Sequence, residues 1–179
     1  MPRQSKNHSD RRKMTIKILN KLVAAGILST VMLLVSCDDT QFFDEYQSTI
    51  VDWNKSDVKK FTFTQKDTVN AYNLFVNIRN NSEYPYSNLF LIVKMFKPNG
   101  KAIIDTLQYQ MADAEGRLLG NGFTDVKESK LFYREKYKFQ NSGTYKIEIE
   151  HAVRENGKVK GDSLLKGISE VGFRIENMN

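Results

Sequence analysis

A chain of 179 residues suits one domain behind a processed segment, and 40% apolar with 27% charged residues is the balance of a globular protein, not of a disordered one. The formal charge of +6 would suit a nucleic-acid binder, but residues 1–37 hold seven Lys/Arg and one acid, which leaves 20 basic and 20 acidic residues in 38–179. The body of the protein is formally neutral, so charge argues against nucleic acid as a partner.

In chain order, basic residues up to Lys21 precede the run LVAAGILSTVMLLVS at 22–36. At about 15 residues this run is shorter than the roughly 20 that span a bilayer. With positive charge on its N-terminal side it matches the apolar region of a secretory signal peptide. Residues 1–36 are therefore expected to be a lipoprotein signal peptide. Translation from Met14 would give a compact version, with 1–13 as an upstream extension. The tetrapeptide LVSC at 34–37 fits a bacterial lipobox: an aliphatic residue, a variable one, a small one, then Cys. The chemistry needs a thiol there, because the sulfur takes the diacylglyceryl group, and small Ser36 lets a signal peptidase reach the bond before Cys37. Each buried methylene contributes about 0.8 kcal/mol, so one acyl chain anchors marginally and two or three anchor stably. Cys37 is the chain's single cysteine. No intrachain disulfide can form, so stability must come from a core.

Cys37 and the residues to 56 are expected to form the lipidated start and a short tether, opened by Asp38 and Asp39. Phe42, Phe43, Tyr46 and Trp53 make part of this segment too apolar for a pure linker. From 57 to 179 a single antiparallel β-sandwich is predicted. Residues alternate in KFTFTQ, with Phe61 and Phe63 on one face, and in YNLFVNIR, with Tyr72, Leu74, Val76 and Ile78 together. LFLIVKMF at 89–96 is apolar on both sides and reads as a central strand buried from both faces. PNGK at 98–101 is a turn, with AIIDTLQY as the returning hairpin strand. SKLFYREKYKF is a less regular strand. TYKIEIE points Tyr145, Ile147 and Ile149 inward, and VGFRIE does so with Val171, Phe173 and Ile175. About seven short strands between Gly, Asn and Pro turns give the all-β class. One helical segment is expected in IEHAVREN, near 149–156.

Residues for chemistry are sparse. His8 falls in the removed segment, which leaves His151 as the mature chain's histidine, with no nucleophile motif around it. No His/Cys cluster has metal-site spacing. GRLLGNG at 116–122 lacks dinucleotide-fingerprint spacing and reads as a loop with positive-φ positions. ADAEGRLLGNG lacks the alternating oxygens of a calcium loop. Asp105 and Glu115 could be imagined as a glycosidase pair, but twenty acids make chance pairs common. No catalytic residue, metal or cofactor is expected, the covalent lipid on Cys37 aside. The loop RNNSEYPYSN at 79–88 sets Tyr84 and Tyr86 around Pro85. Exposed, these rings and Trp53 could stack on a sugar or meet a protein partner; folded back, they would belong to the core.

The blocks YNLFVNIRNNSEYPYSNLFLIVKMFKPNGK, DTLQYQMADAEGRLLGNGFTDVKESKLFYRE and GISEVGFRIE, together with the lipobox, resemble the gliding-motility lipoprotein GldH family of Bacteroidota over nearly the whole mature chain. The resemblance implies an envelope lipoprotein needed for gliding, functionally linked to adhesin movement and type IX secretion, without established catalytic residues. It implies membrane attachment through Cys37, the outer membrane being preferred over the inner, and envelope proteins of the gliding and secretion apparatus as partners. A surface glycan-binding module using Tyr84, Tyr86 or Trp53 is the alternative.

Overall fold

The computed structural model describes residues 41–122, 125–153 and 161–178. The signal peptide and Cys37 lie outside the described residues. Among the described residues ten strands run in chain order: β1 (Gln41–Ser48), β2 (Trp53–Asn54), β3 (Lys59–Gln65), β4 (Ala71–Asn80), β5 (Asn88–Phe96), β6 (Ala102–Gln110), β7 (Lys127–Lys138), β8 (Gly143–His151), β9 (Leu164–Leu165) and β10 (Ile168–Asn177). One sheet has the order β1-β10-β4-β7 and a second β3-β8-β5-β6; β2 and β9 form a short two-stranded ladder. Every pairing is antiparallel. The all-β sandwich expected from period-two alternation is thus the observed class.

The alternation decides which side of each strand is buried. Phe61 and Phe63 of β3 meet Phe173 of β10 across the two sheets, with centroids 6.2 and 6.3 Å apart. Phe63 also stacks on Tyr145 of β8 at 5.5 Å, and Phe139 packs edge-on against Tyr145 at 5.0 Å. Tyr72, Leu74, Val76 and Ile78 are all buried on the inner side of β4. Burying each such side chain contributes roughly 1.5–3 kcal/mol, and aromatic pairs add a further 0.5–1.5 kcal/mol. The hairpin β5–β6 turns through residues 97–101, with Phe96 opposite Ala102, and Gly100 takes the left-handed φ of 78° that the turn requires.

Three expectations change. The domain begins well before residue 57: β1 occupies 41–48 of the expected tether and pairs with β10 along its length. Phe43 is the reason, since its ring lies 5.4 Å from Phe63 and 6.4 Å from Phe173 and extends the core. Strand β5 is fully buried on one side only; Phe90, Ile92 and Phe96 on its other side are half-buried at the sheet surface. The helical segment expected near 149–156 begins inside β8, because Ile149 and His151 continue the strand's inward series; its residues 154–156 lie outside the described residues.

Candidate functional site

Connectivity gives the sandwich two ends. The described residues 49–52, 81–87, 111–122, 125–126, 152–153 and 161–163 gather at the end where β1 finishes. Trp53, Tyr84 and Tyr86, the candidate stacking rings, all belong to this end, and they form an inner layer. Trp53 has 0% exposure; its indole N–H donates to the Asp57 carbonyl at 2.9 Å, and its ring meets His151 edge-on at 5.2 Å. His151 is also fully buried, with Nε2 3.1 Å from the Trp53 carbonyl. Burial pushes its pKa below the ordinary histidine value, and Nδ1 has no hydrogen-bond partner. Tyr84 is 5% exposed and donates its hydroxyl to the Asn88 carbonyl at 2.6 Å. Tyr86 is half-buried, packs edge-on to Tyr84 at 5.9 Å and donates to the Asp162 carboxylate. Gly167, at φ 74°, lets the chain pass so close that an added Cβ would lie 2.2 Å from the Tyr84 nitrogen. Trp53 and Tyr84 thus belong to the core and present no open face for stacking, while Tyr86 keeps part of its ring at the surface.

The second polar constellation covers the outer face of the β1-β10-β4-β7 sheet. Gly172 of β10 has no side chain, so the Tyr46 ring lies on it; an added Cβ would come within 2.8 Å of that ring. The Arg79 guanidinium reaches from β4 across β10 to within 4.5 Å of the Tyr46 ring centroid. The Tyr46 hydroxyl donates to Glu128 at 3.0 Å and accepts from Asn77 Nδ2 at 2.8 Å. Arg79 bridges Glu128, at 2.8 Å, and Glu170. Burial and the Glu128 carboxylate push the Tyr46 pKa up to about 12, while the two carboxylates raise that of Arg79 further from neutrality. Neither group is poised to exchange protons near neutral pH. Beside them Arg174 links Asp44, at 2.9 Å, to Glu176, at 2.6 Å, and Lys130 lies over the Phe75 ring at 4.2 Å. The arrangement ties four strands together and satisfies its own charges.

Other candidates resolve in the same way. Asp105, within β6, accepts from Tyr133 at 2.8 Å and from Arg134 at 2.6 Å, whereas Glu115 pairs with Arg117 at 3.1 Å in the loop after β6. The two carboxylates are not brought together as an acid–base couple. The loop 116–122 has its expected positive φ at Gly116, 81°, and Gly120, 103°. Among the described residues no group of three or more His, Cys, Asp or Glu side chains is gathered to hold a metal. What the described surface does offer is an apolar tip at the end of β1: Ile50 is 98% exposed and Val51 83%, beside Leu164, around a cleft of about 310 Å³. Alternation could not flag these residues, because they sit in a turn where neither period applies.

Comparison with known proteins adds the remaining information. The GldH lipoprotein family matches residues 41–175. The chain is 52% identical over 150 residues to the gliding motility lipoprotein GldH of Flavobacterium johnsoniae, covering 84% of this chain and 93% of that one. It is 51% identical over 147 residues to a gliding motility lipoprotein GldH homolog of Christiangramia forsetii, with 82% and 90% covered. Among solved structures, a family GH115 4-O-methyl-α-glucuronidase overlays with TM-score 0.40 at 12% identity, over 80% of this chain and 18% of that one. The infectious bursal disease virus VP2 subviral particle overlays with TM-score 0.36 at 11% identity, over 79% of this chain and 34% of that one.

Proposed function

The chain belongs to the GldH lipoprotein family, and on that premise we propose that it is a lipid-anchored envelope protein of the gliding-motility apparatus that acts through protein contacts, not through catalysis. The observation that carries the proposal is the 52% identity to a gliding motility lipoprotein over 84% of the chain. Cys37, in its lipobox, is the residue that bears the lipid, and the mature protein begins there. The outer membrane is its address, and support of type IX secretion is part of its role.

A non-catalytic role is supported by how the described ionisable groups are used. Arg79 is held by two carboxylates, Asp105 is held by Tyr133 and Arg134, and His151 is sealed behind Trp53. A contact role is supported by the exposed tip of Ile50 and Val51, since large apolar side chains fully in water mark interaction surfaces when they cluster. The test is deletion of the gene, complemented with wild type or with Cys37→Ala, while colony spreading and the proteins released to the medium are measured. Loss of spreading or secretion, restored by wild type and not by Cys37→Ala, is the expected result. Normal spreading and secretion in the deletion strain would refute the proposal.

A further inference from the structure

The two main sheets leave four edge strands among the described residues, β1 and β7 in one and β3 and β6 in the other. Each edge carries backbone N–H and C=O groups open to pairing with another strand, and folded proteins usually blunt such edges. Three of the four are blunted here. The Lys59 ammonium donates to the Ser48 carbonyl of β1 at 2.8 Å, and β1 is bulged near its start. The Gln47 side chain takes up both the N–H and the carbonyl of Lys60 on β3. The Tyr109 hydroxyl donates to the Phe132 carbonyl of β7 at 2.7 Å, and β7 is irregular against β4 at two places.

Strand β6 differs. The Lys97 N–H donates to the Lys101 carbonyl and the Met111 N–H to the Ser87 carbonyl, each at 2.8 Å. These pairs bracket the β5–β6 register, so its hydrogen bonds join odd-numbered residues. The N–H and C=O groups of Ala102, Ile104, Thr106, Gln108 and Gln110 therefore point away from β5, and among the described residues nothing bonds to them. The pairing with β5 runs from Asn88–Gln110 to Phe96–Ala102 without a bulge. The strand contains no Pro, Lys or Arg, and Ile104 within it is 64% exposed. Its one charge, Asp105, lies on the side facing the other sheet and is taken up by Tyr133 and Arg134.

We propose that β6 is a docking edge for a second copy of this chain, joined β6 to β6 in antiparallel order about a two-fold axis at Thr106. The strand's own sequence selects this occupant and this register. Centred on Thr106, all nine residues of Ala102–Gln110 pair: Ala102 with Gln110, Ile104 with Gln108, and Thr106 with its equivalent. Threonines directly opposite each other across strands are a favourable pair. Asp105 then lies opposite Leu107, whereas a centre at Asp105 would set two carboxylates directly opposite, which is destabilising. The two four-stranded sheets become one of eight strands with the capped β3 edges outermost, so assembly closes at the dimer.

The test uses the whole protein, oxidised in intact cells and then extracted in detergent. Thr106→Cys should yield a disulfide-linked dimer, because opposite residues of a hydrogen-bonded pair stand about 5.5 Å apart at Cα, within disulfide range. Thr62→Cys, also exposed but on the capped β3, should yield several-fold less. The unsubstituted chain, with Cys37 alone, sets the background. In sedimentation the wild type should have twice the protomer mass. Thr106→Lys sets two ammonium groups opposite each other, and Gln108→Pro removes an N–H that only the dimer uses, on an edge where Pro is tolerated. Both should sediment as monomers with unchanged far-ultraviolet circular dichroism, while Thr106→Val should stay dimeric. A wild-type monomer, or equal cross-linking at 62 and 106, would overturn the proposal. A cross-link from 106 to a different protein, without a dimer band, would overturn the second copy as occupant and give the edge to a foreign strand.

Discussion

The two ends of the sandwich are built on different principles. At the end where β1 finishes, loops fold back and add a second layer of packing: Trp53 on His151, Tyr84 beneath Gly167, Tyr86 on Asp162. At the end where β1 begins, short turns close directly on the core: Phe139 is fully buried against Phe63, Tyr72 and Tyr145, and the hairpin turn beside it is open, an added Cβ at Gly100 meeting nothing within 4 Å. The difference separates aromatic residues that hold the fold from charged residues that the fold leaves free. A tyrosine-rich loop at the packed end is structure, while plain lysines at the open end are available to solution.

The sharpest test of this contrast is truncation. Trp53→Ala should cost about 3–5 kcal/mol in denaturant unfolding, the usual loss for a large buried aromatic side chain, whereas Lys66→Ala should stay within about 0.5 kcal/mol. Similar losses for the two would erase the contrast. Next comes backbone accommodation. Gly167→Ala must displace the Tyr84 backbone and should destabilise by about 1–3 kcal/mol, while Gly100→Ala, with the same hand of φ and open space, should cost about 1 kcal/mol at most. Melting temperatures of the two variants compare them directly.

Two pH effects, smaller still, fall at opposite ends. His151 is buried neutral with its pKa lowered, so the unfolded chain takes up a proton first as pH falls. Stability from this group is fully present above the ordinary value of 6.5 and is lost below it, towards the folded-state value. His151→Gln should flatten the melting profile over that range. At the end where β1 begins, the Val69 and Asn70 backbone N–H groups, joined by the Asn70 side chain and the Tyr72 hydroxyl, hold the Asp67 pKa down to about 2, below its ordinary 3.8. Its contribution is complete above 3.8 and disappears as pH falls through about 2. Asp67→Asn should remove that acid-side slope and leave the neutral-side slope unchanged.

Much of this architecture was legible in the sequence where one strand face is wholly apolar. Phe61 and Phe63, the inner series of β4, Tyr145 with Ile147 and Ile149, and Val171 with Phe173 and Ile175 all alternate and are all buried. Strand β1 was not legible, because its inward positions are Phe43, Glu45 and Gln47, and only one of them is apolar. Gln47 closes the sandwich by another means: its side-chain amide accepts from the Lys60 N–H at 3.2 Å and donates to the Lys60 carbonyl at 2.6 Å. Asn77 was equally hidden. It is 1% exposed on the outer face of its sheet, covered by Tyr46, which Gly172 admits. Such burial depends on partners 31 and 95 positions away, and no local period reports it. The candidate site divides in the same way. The lipobox is a contiguous signal and could be read directly, whereas the exposure of Trp53 and Tyr84 depended on loops closing over them.

The claim on which the account stands is a lipid on Cys37, and the most direct measurement is the mass of the N-terminal peptide of the protein extracted from membranes. A peptide that begins at Cys37 and carries the mass of a diacylglyceryl group, absent from Cys37→Ala, is the predicted result. A mature chain that begins elsewhere, or an unmodified Cys37, would contradict it.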